Sequence, residues 1–197
     1  IQKLDALIFK LNEHLEALDA IKGLDSEGCA LQKKILNKTL DCLKLADEHR
    51  AANGEAINAY LVLYDPKNPK SVNGRLLSLT GKLFPRGGPS QIDVTALSES
   101  DIELLKKALP LVTNQGQAKF IDKILEEHAK GSKSKYVISK KKMTRLRDHI
   151  HSKAAEASRA IDATKEAKAS KEAVTDWQKT KDEFETYRIT SVLQKNR

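Results

Sequence analysis

Eight basic residues crowd positions 133 to 153: Lys133, Lys135, Lys140, Lys141, Lys142, Arg145, Arg147 and Lys153, against the single acid Asp148. Side chains of this kind, at this density, hold anions through Coulomb attraction and charge-assisted hydrogen bonds to phosphate or carboxylate oxygens. The rest of the chain is nearly neutral, with 18 basic and 18 acidic side chains in residues 1–132 and 9 and 8 in residues 154–197. Almost the whole net charge of +8 therefore belongs to one segment. On a helical wheel, Met143, Leu146, Ile150 and Ala154 fall within an arc of about 80°, with Lys140 and Arg147 on one flank and Lys142 and Lys153 on the other. Lys141 and Arg145 point the opposite way. The segment reads as a basic amphipathic helix behind a mobile Gly131-Ser132-Lys133-Ser134-Lys135 loop, a form that meets anionic membranes, nucleic acid or acidic protein faces. The plain alternative is a core helix whose outer face is merely solvated.

A weaker basic stretch lies upstream. Lys67, Lys70, Arg75, Lys82 and Arg86 fall in residues 66–92, where there is no acid. Arg75, Lys82 and Arg86 are the secondary anion-binding candidates. Backbone amides near Asn73-Gly74 and Arg86-Gly87-Gly88 would add to them if they line a nest or a helix N-terminus.

Catalytic patterns are missing. Gly74 to Gly81-Lys82 has six residues between its glycines where a phosphate loop has four, and Leu83 stands where Ser or Thr is required. His149 and His151 are about 200° apart on a helix and cannot share a metal from one face. The five histidines have no marked nucleophile beside them and no Gly-x-Ser-x-Gly elbow occurs. Glu126 and Glu127 diverge as solvated surface, and Trp177, Phe184 and Tyr187 read as interhelical packing. The expectation is a protein with no metal and no cofactor, a binding module ahead of an enzyme.

The elements that must position these residues are helical. The 197 residues are 40% hydrophobic and 31% charged, enough for a buried core in one large or two small domains. No run approaches the ~18 apolar residues of a membrane span. Ile1, Leu4, Ile8, Leu11, Leu15 and Leu18 form the stripe of a first helix that stops at Gly23. Asp25 or Ser26 caps a second, carried by Leu31, Ile35, Leu36, Leu40, Leu43 and Ala46 and ended at Asn53-Gly54. Ala56 to Tyr64 reads as a further helix and Asp65 to Pro69 as a turn, with another turn started by Asn73-Gly74. A short helix through Leu76, Leu77, Leu79 and Leu83 runs into Pro85-Arg86-Gly87-Gly88-Pro89, the best hinge, so a sub-boundary is expected at 85–90. Ser98 caps a helix that Pro110 ends, and Phe120 to Leu125 mark one that closes near Gly131.

From Ser132 to Arg197 neither Gly nor Pro occurs. As one rod, residues 139–197 would span on the order of 88 Å, twice the ~42 Å breadth of a compact chain of this size. A break with a new cap is expected at Ser170. Cys29 and Cys42 lie in one predicted helix, roughly 20 Å apart, far beyond the ~7 Å a disulfide spans. They read as reduced thiols of a cytoplasmic, reducing compartment. The chain begins at Ile1 without Met, which predicts a single helical domain, residues 1–197, excised from a larger protein.

The segments NKTLDCLKLADEH (37–49) and TRLRDHIHSKAAEASRAIDATKEAK (144–168), Lys/Asn/Glu-rich and poor in aromatics, resemble helical domains of effectors secreted by intracellular bacteria. The resemblance implies a module of a larger protein, acting in a host cytosol on a host factor or a phosphoinositide. It transfers no residue roles.

The reading is an all-α bundle of six to eight helices with a long C-terminal helix or hairpin. Its function is expected to be docking of an anionic partner through residues 133–153. Phosphoinositide or other anionic membrane head groups, with peripheral membrane attachment, come ahead of an acidic protein surface. The alternative is a helical scaffold for a partner protein. Nucleic acid comes third, because only Tyr136 lies within the patch and no recognition motif is legible.

Overall fold

A computed structural model describes residues 2–195, so Ile1 of the first stripe lies outside the described residues. The elements are α1 (Gln2–Asp19), α2 (Ser26–Leu63), α3 (Val72–Leu83), β1 (Gln91–Asp93), α4 (Glu99–Ala108), α5 (Gln115–Ala129), β2 (Val137–Ser139), α6 (Lys140–Asp162) and α7 (Lys165–Lys195). The fold is all-α, with seven helices among the described residues and one two-stranded ribbon, and α7 is the long C-terminal helix. It divides into two compact units, Ile1–Ile57 with Ala160–Arg197 and Asn58–Arg159. The Pro85 to Pro89 loop falls inside the second.

In the first unit, the three-and-four spacing of α1 buries Leu4, Leu11 and Leu18. Asp25 caps α2, its Oδ1 accepting the Gly28 N–H at 2.8 Å, while the Gln32 side chain reaches back to the Leu18 carbonyl at 2.7 Å and closes the end of α1. Leu11, Leu18, Ile35 and Cys42 pack with Trp177 and Phe184 of α7. Trp177 satisfies its buried indole N–H on Thr39 Oγ1 at 2.9 Å and meets the His14 ring edge-on at 5.3 Å. Tyr187 instead places its hydroxyl on the Asp25 carboxylate at the surface. Both cysteines are free thiols of α2. Cys29 is exposed, and Cys42 is buried, which pushes its thiol up to about 11.

Two expectations fail here. Asn53-Gly54 does not end a helix: α2 runs through it to Leu63. Gly54 does not take the positive φ of a C-terminal cap, and the Asn53 side chain bonds back to the His49 carbonyl and across to Thr164 Oγ1, both at 3.2 Å. The break in the C-terminal stretch is at Ala163-Thr164, not Ser170. Thr164 Oγ1 accepts the Ala167 N–H at 3.3 Å and its carbonyl takes Lys168 N–H at 3.1 Å, whereas Ser170 is buried inside α7.

In the second unit, Asp65 to Lys70 is the expected turn, but Asn73-Gly74 is not another. Ser71 caps α3 by accepting the Gly74 N–H at 2.9 Å, and both residues sit in the first helical turn, buried. The backbone runs so close that a Cβ on Gly74 would lie 2.2 Å from the Asn68 carbonyl oxygen. Ser98 and Asp101 form a reciprocal capping box for α4, and the chain leaves it through a 3₁₀ turn holding Pro110. Asn114 caps α5, and Gly131 takes φ 62° just past its end. The ribbon was not expected. β1 and β2 pair antiparallel, Gln91 with Ser139, Ile92 with Ile138 and Asp93 with Val137. Ile138 is fully buried beneath it, in a core that includes Leu76, Leu105, Ile121, Met143, Leu146 and Ile150.

Candidate anion-docking site

The start of α6 is tied to the ribbon. Ser139 closes β2 and caps α6, its Oγ accepting the Lys142 N–H at 3.2 Å, while the Lys140 N–H donates to the Ser90 carbonyl at 2.8 Å. Both of these amides are thus used within the chain. Met143, Leu146, Ile150 and Ala154 are all buried, as the wheel requires, which forces the lysines of the first turn outward. A cleft of about 550 Å³ opens beside them, lined by Ser90, Gln91, Ser139, Lys140, Lys141, Thr144 and Arg145. Three cationic residues, two serines, a threonine and a glutamine line this shallow cleft, largely through their apolar stems, and the lining contains no carboxylate.

The eight candidates do not act as one group. Lys141 and Arg145, an i, i+4 pair on one face of α6, share the cleft, and Lys140 borders it from the adjoining first position of the helix. Lys142 is exposed on the same turn, and Lys133 and Lys135 are exposed on the segment leading into β2. Arg147 donates to Asp148 at 3.2 Å, and Lys153 reaches Glu156 at 3.2 Å. These two are already partnered and half-buried, and they leave the site with less charge than the count predicts.

The segment carrying Lys133 and Lys135 is anchored where the sequence reading saw a mobile loop. Residues Gly131–Lys133 form a 3₁₀ turn, and Glu127, expected as solvated surface, is buried beneath it. Its carboxylate accepts from Ser134 Oγ at 2.7 Å, Lys130 Nζ at 3.0 Å and Lys123 Nζ at 3.1 Å. Those bonds, with Ser134 first, hold its carboxyl down at about 2. Further on, the Tyr136 carbonyl accepts the Val94 N–H at 3.0 Å, extending the ladder by one bond.

The secondary candidates gather no comparable site. Arg75 is half-buried on α3, Lys82 is exposed in its last turn and Arg86 is exposed in the following turn. In each expected nest one amide is taken within the chain, Gly74 N–H by Ser71 Oγ and Gly88 N–H by the Pro85 carbonyl at 2.8 Å. Ser90, Gln91, Ser139 and Thr144 were missed. Ser139 could have been found as a cap before a lysine run, but Ser90 and Gln91 arrive by strand pairing, which leaves no local signal. Among the described residues no helix is long and apolar enough to cross a membrane. Comparison with protein-family models, curated proteins and solved structures finds no match to this chain.

Proposed function

We propose that the second unit is a binding module that docks phosphorylated membrane head groups, with phosphoinositides the foremost ligand. The observation that carries the reading is the acid-free cleft shared by Lys140, Lys141 and Arg145. A phosphate monoester presents several oxygens to such a group of donors, and Arg adds the planar fork suited to two of them. The hydroxyls of Ser90, Ser139 and Thr144 and the Gln91 amide supply donors and acceptors for a polyol ring.

Co-sedimentation with vesicles carrying one phosphoinositide each, at two salt concentrations and with a nucleic-acid competitor, tests this. At about 1 kcal/mol for each basic residue near an anionic surface, reversing Lys140, Lys141 and Arg145 to Glu weakens binding by about 3 kcal/mol or more, over a hundredfold. Arg147→Ala, which removes an already paired cation, changes it little. Vesicle binding unaffected by the triple reversal would refute the site, and binding to every anionic surface that collapses with salt would reduce it to a generic basic face.

A second reading, a scaffold for a partner protein, has one observation in its favour. Ile189, Val192 and Leu193 of α7 are exposed at spacings of three and four, an apolar stripe on one helix face. Capture through that stripe would be insensitive to salt.

A further inference from the structure

The β1–β2 ribbon has two faces of opposite character. Ile92 and Ile138, cross-strand partners, turn inward, and Ile138 is fully buried. Strand alternation therefore puts Gln91, Asp93, Val137 and Ser139 together on the outer face. Two of these, Gln91 and Ser139, line the cleft. Val137 stands one pleat away and is 42% exposed.

An exposed valine alone is unremarkable on a protein surface. Its setting is not. Lys133 and Lys135 precede it, Lys140 to Lys142 follow it, and residues 133–142 contain no acid. β2 is also anchored on both sides, by Ser134 on Glu127, by Tyr136 on Val94 and by Lys140 on Ser90. An exposed apolar side chain on an anchored strand, with lysines on both sides of it in the chain, matches the layering of an anionic bilayer, in which phosphates lie above the acyl boundary. Asp93, directly opposite Val137, is the one acid of this outer face.

We propose that the outer face of the ribbon lies on the bilayer, with Val137 entering the boundary between head groups and acyl chains and Lys133 and Lys135 in the phosphate layer. The inference rests on the head-group reading of the adjacent cleft and adds the face and the depth of contact. Asp93 then opposes docking, because its charge is pressed toward an anionic surface.

The test places an environment-sensitive fluorophore at Val137→Cys in a Cys29→Ser background, Cys42 being buried. The probe is phosphatidylcholine vesicles doped with one phosphoinositide, against undoped vesicles, with co-sedimentation run in parallel. The expected result is a blue shift and a rise in emission on doped vesicles only. Two unlabelled variants guard against an effect of the label itself: Val137→Ser weakens binding about tenfold, and Asp93→Asn tightens it about fivefold. Co-sedimentation with no spectral change, and with neither variant altering affinity, would overturn the bilayer face while leaving the head-group cleft standing. No co-sedimentation of the unsubstituted protein would overturn both.

Discussion

Protonating Glu127 removes the anchor of the segment that carries Lys133 and Lys135. Its carboxyl is held at about 2, well below the usual carboxylate range near 4.5, by Ser134, Lys130 and Lys123. A carboxylate lowered on folding stabilises the fold fully above its unfolded pKa and loses that contribution as pH falls through the folded value. The window is therefore from about 4.5 down to about 2. Denaturant titrations of the protein and of Glu127→Gln should differ by a constant amount above pH 5, with the variant less stable, and converge as pH approaches 2. A difference that stays constant down to pH 2 would show that the charge at this position does not matter. The spacings were in the sequence, with Lys123 four residues before Glu127 and Lys130 three after it. What the sequence lacked was burial: a helix wheel shows which face Glu127 shares, while the fold over it of Gly131 to Ser134 is a tertiary fact. The exposure of the basic cluster was legible for the opposite reason, since Met143 and Leu146 take the buried face and leave Lys140, Lys141 and Lys142 the rest of the helix surface.

Two glycines show how elements obey or override local signals. Both follow an asparagine, and Asn-Gly reads as a turn. In α2 the helix runs through Gly54 to Leu63, and a Cβ there would meet nothing within 4 Å. Gly54→Ala should stabilise the protein by about 0.5–1 kcal/mol, because alanine loses less backbone entropy in a helix interior. Gly74→Ala should cost about 3 kcal/mol, because the Asn68 carbonyl at 2.2 Å is backbone and cannot swing aside. Thermal and denaturant unfolding of the two variants would settle the pair, and equal effects would mean that Gly74 is not the close approach described. Caps with reciprocal chemistry, such as Ser98 with Asp101, were legible because both partners lie within four residues. The break at Thr164 was not: Ser170 is by type the better cap, yet it is buried inside α7, while Thr164 takes a bond from Asn53, more than a hundred positions away. The ribbon was hidden likewise, each strand being three residues and its partner distant.

Charge is divided between the two compact units as unevenly as it is along the chain. Residues 58–159 hold 19 basic and 10 acidic side chains, and the remainder of the chain 16 and 17. The second unit thus carries all of the net positive charge, together with the cleft, the ribbon and Glu127. Its hydrophobic core, from Val72 to Ile150, also draws on no residue outside it. About a hundred residues around one core suffice for independent folding, whereas the first unit needs two distant pieces of chain to close its own core. The segment 58–159 expressed alone should therefore unfold in one cooperative transition and bind phosphoinositide vesicles with the affinity and salt dependence of the whole chain. A folded fragment that failed to bind would place the determinant of docking in the first unit, where the apolar stripe of α7 would become the surface to dissect. Non-cooperative melting would show instead that residues 58–159 do not fold as an independent unit.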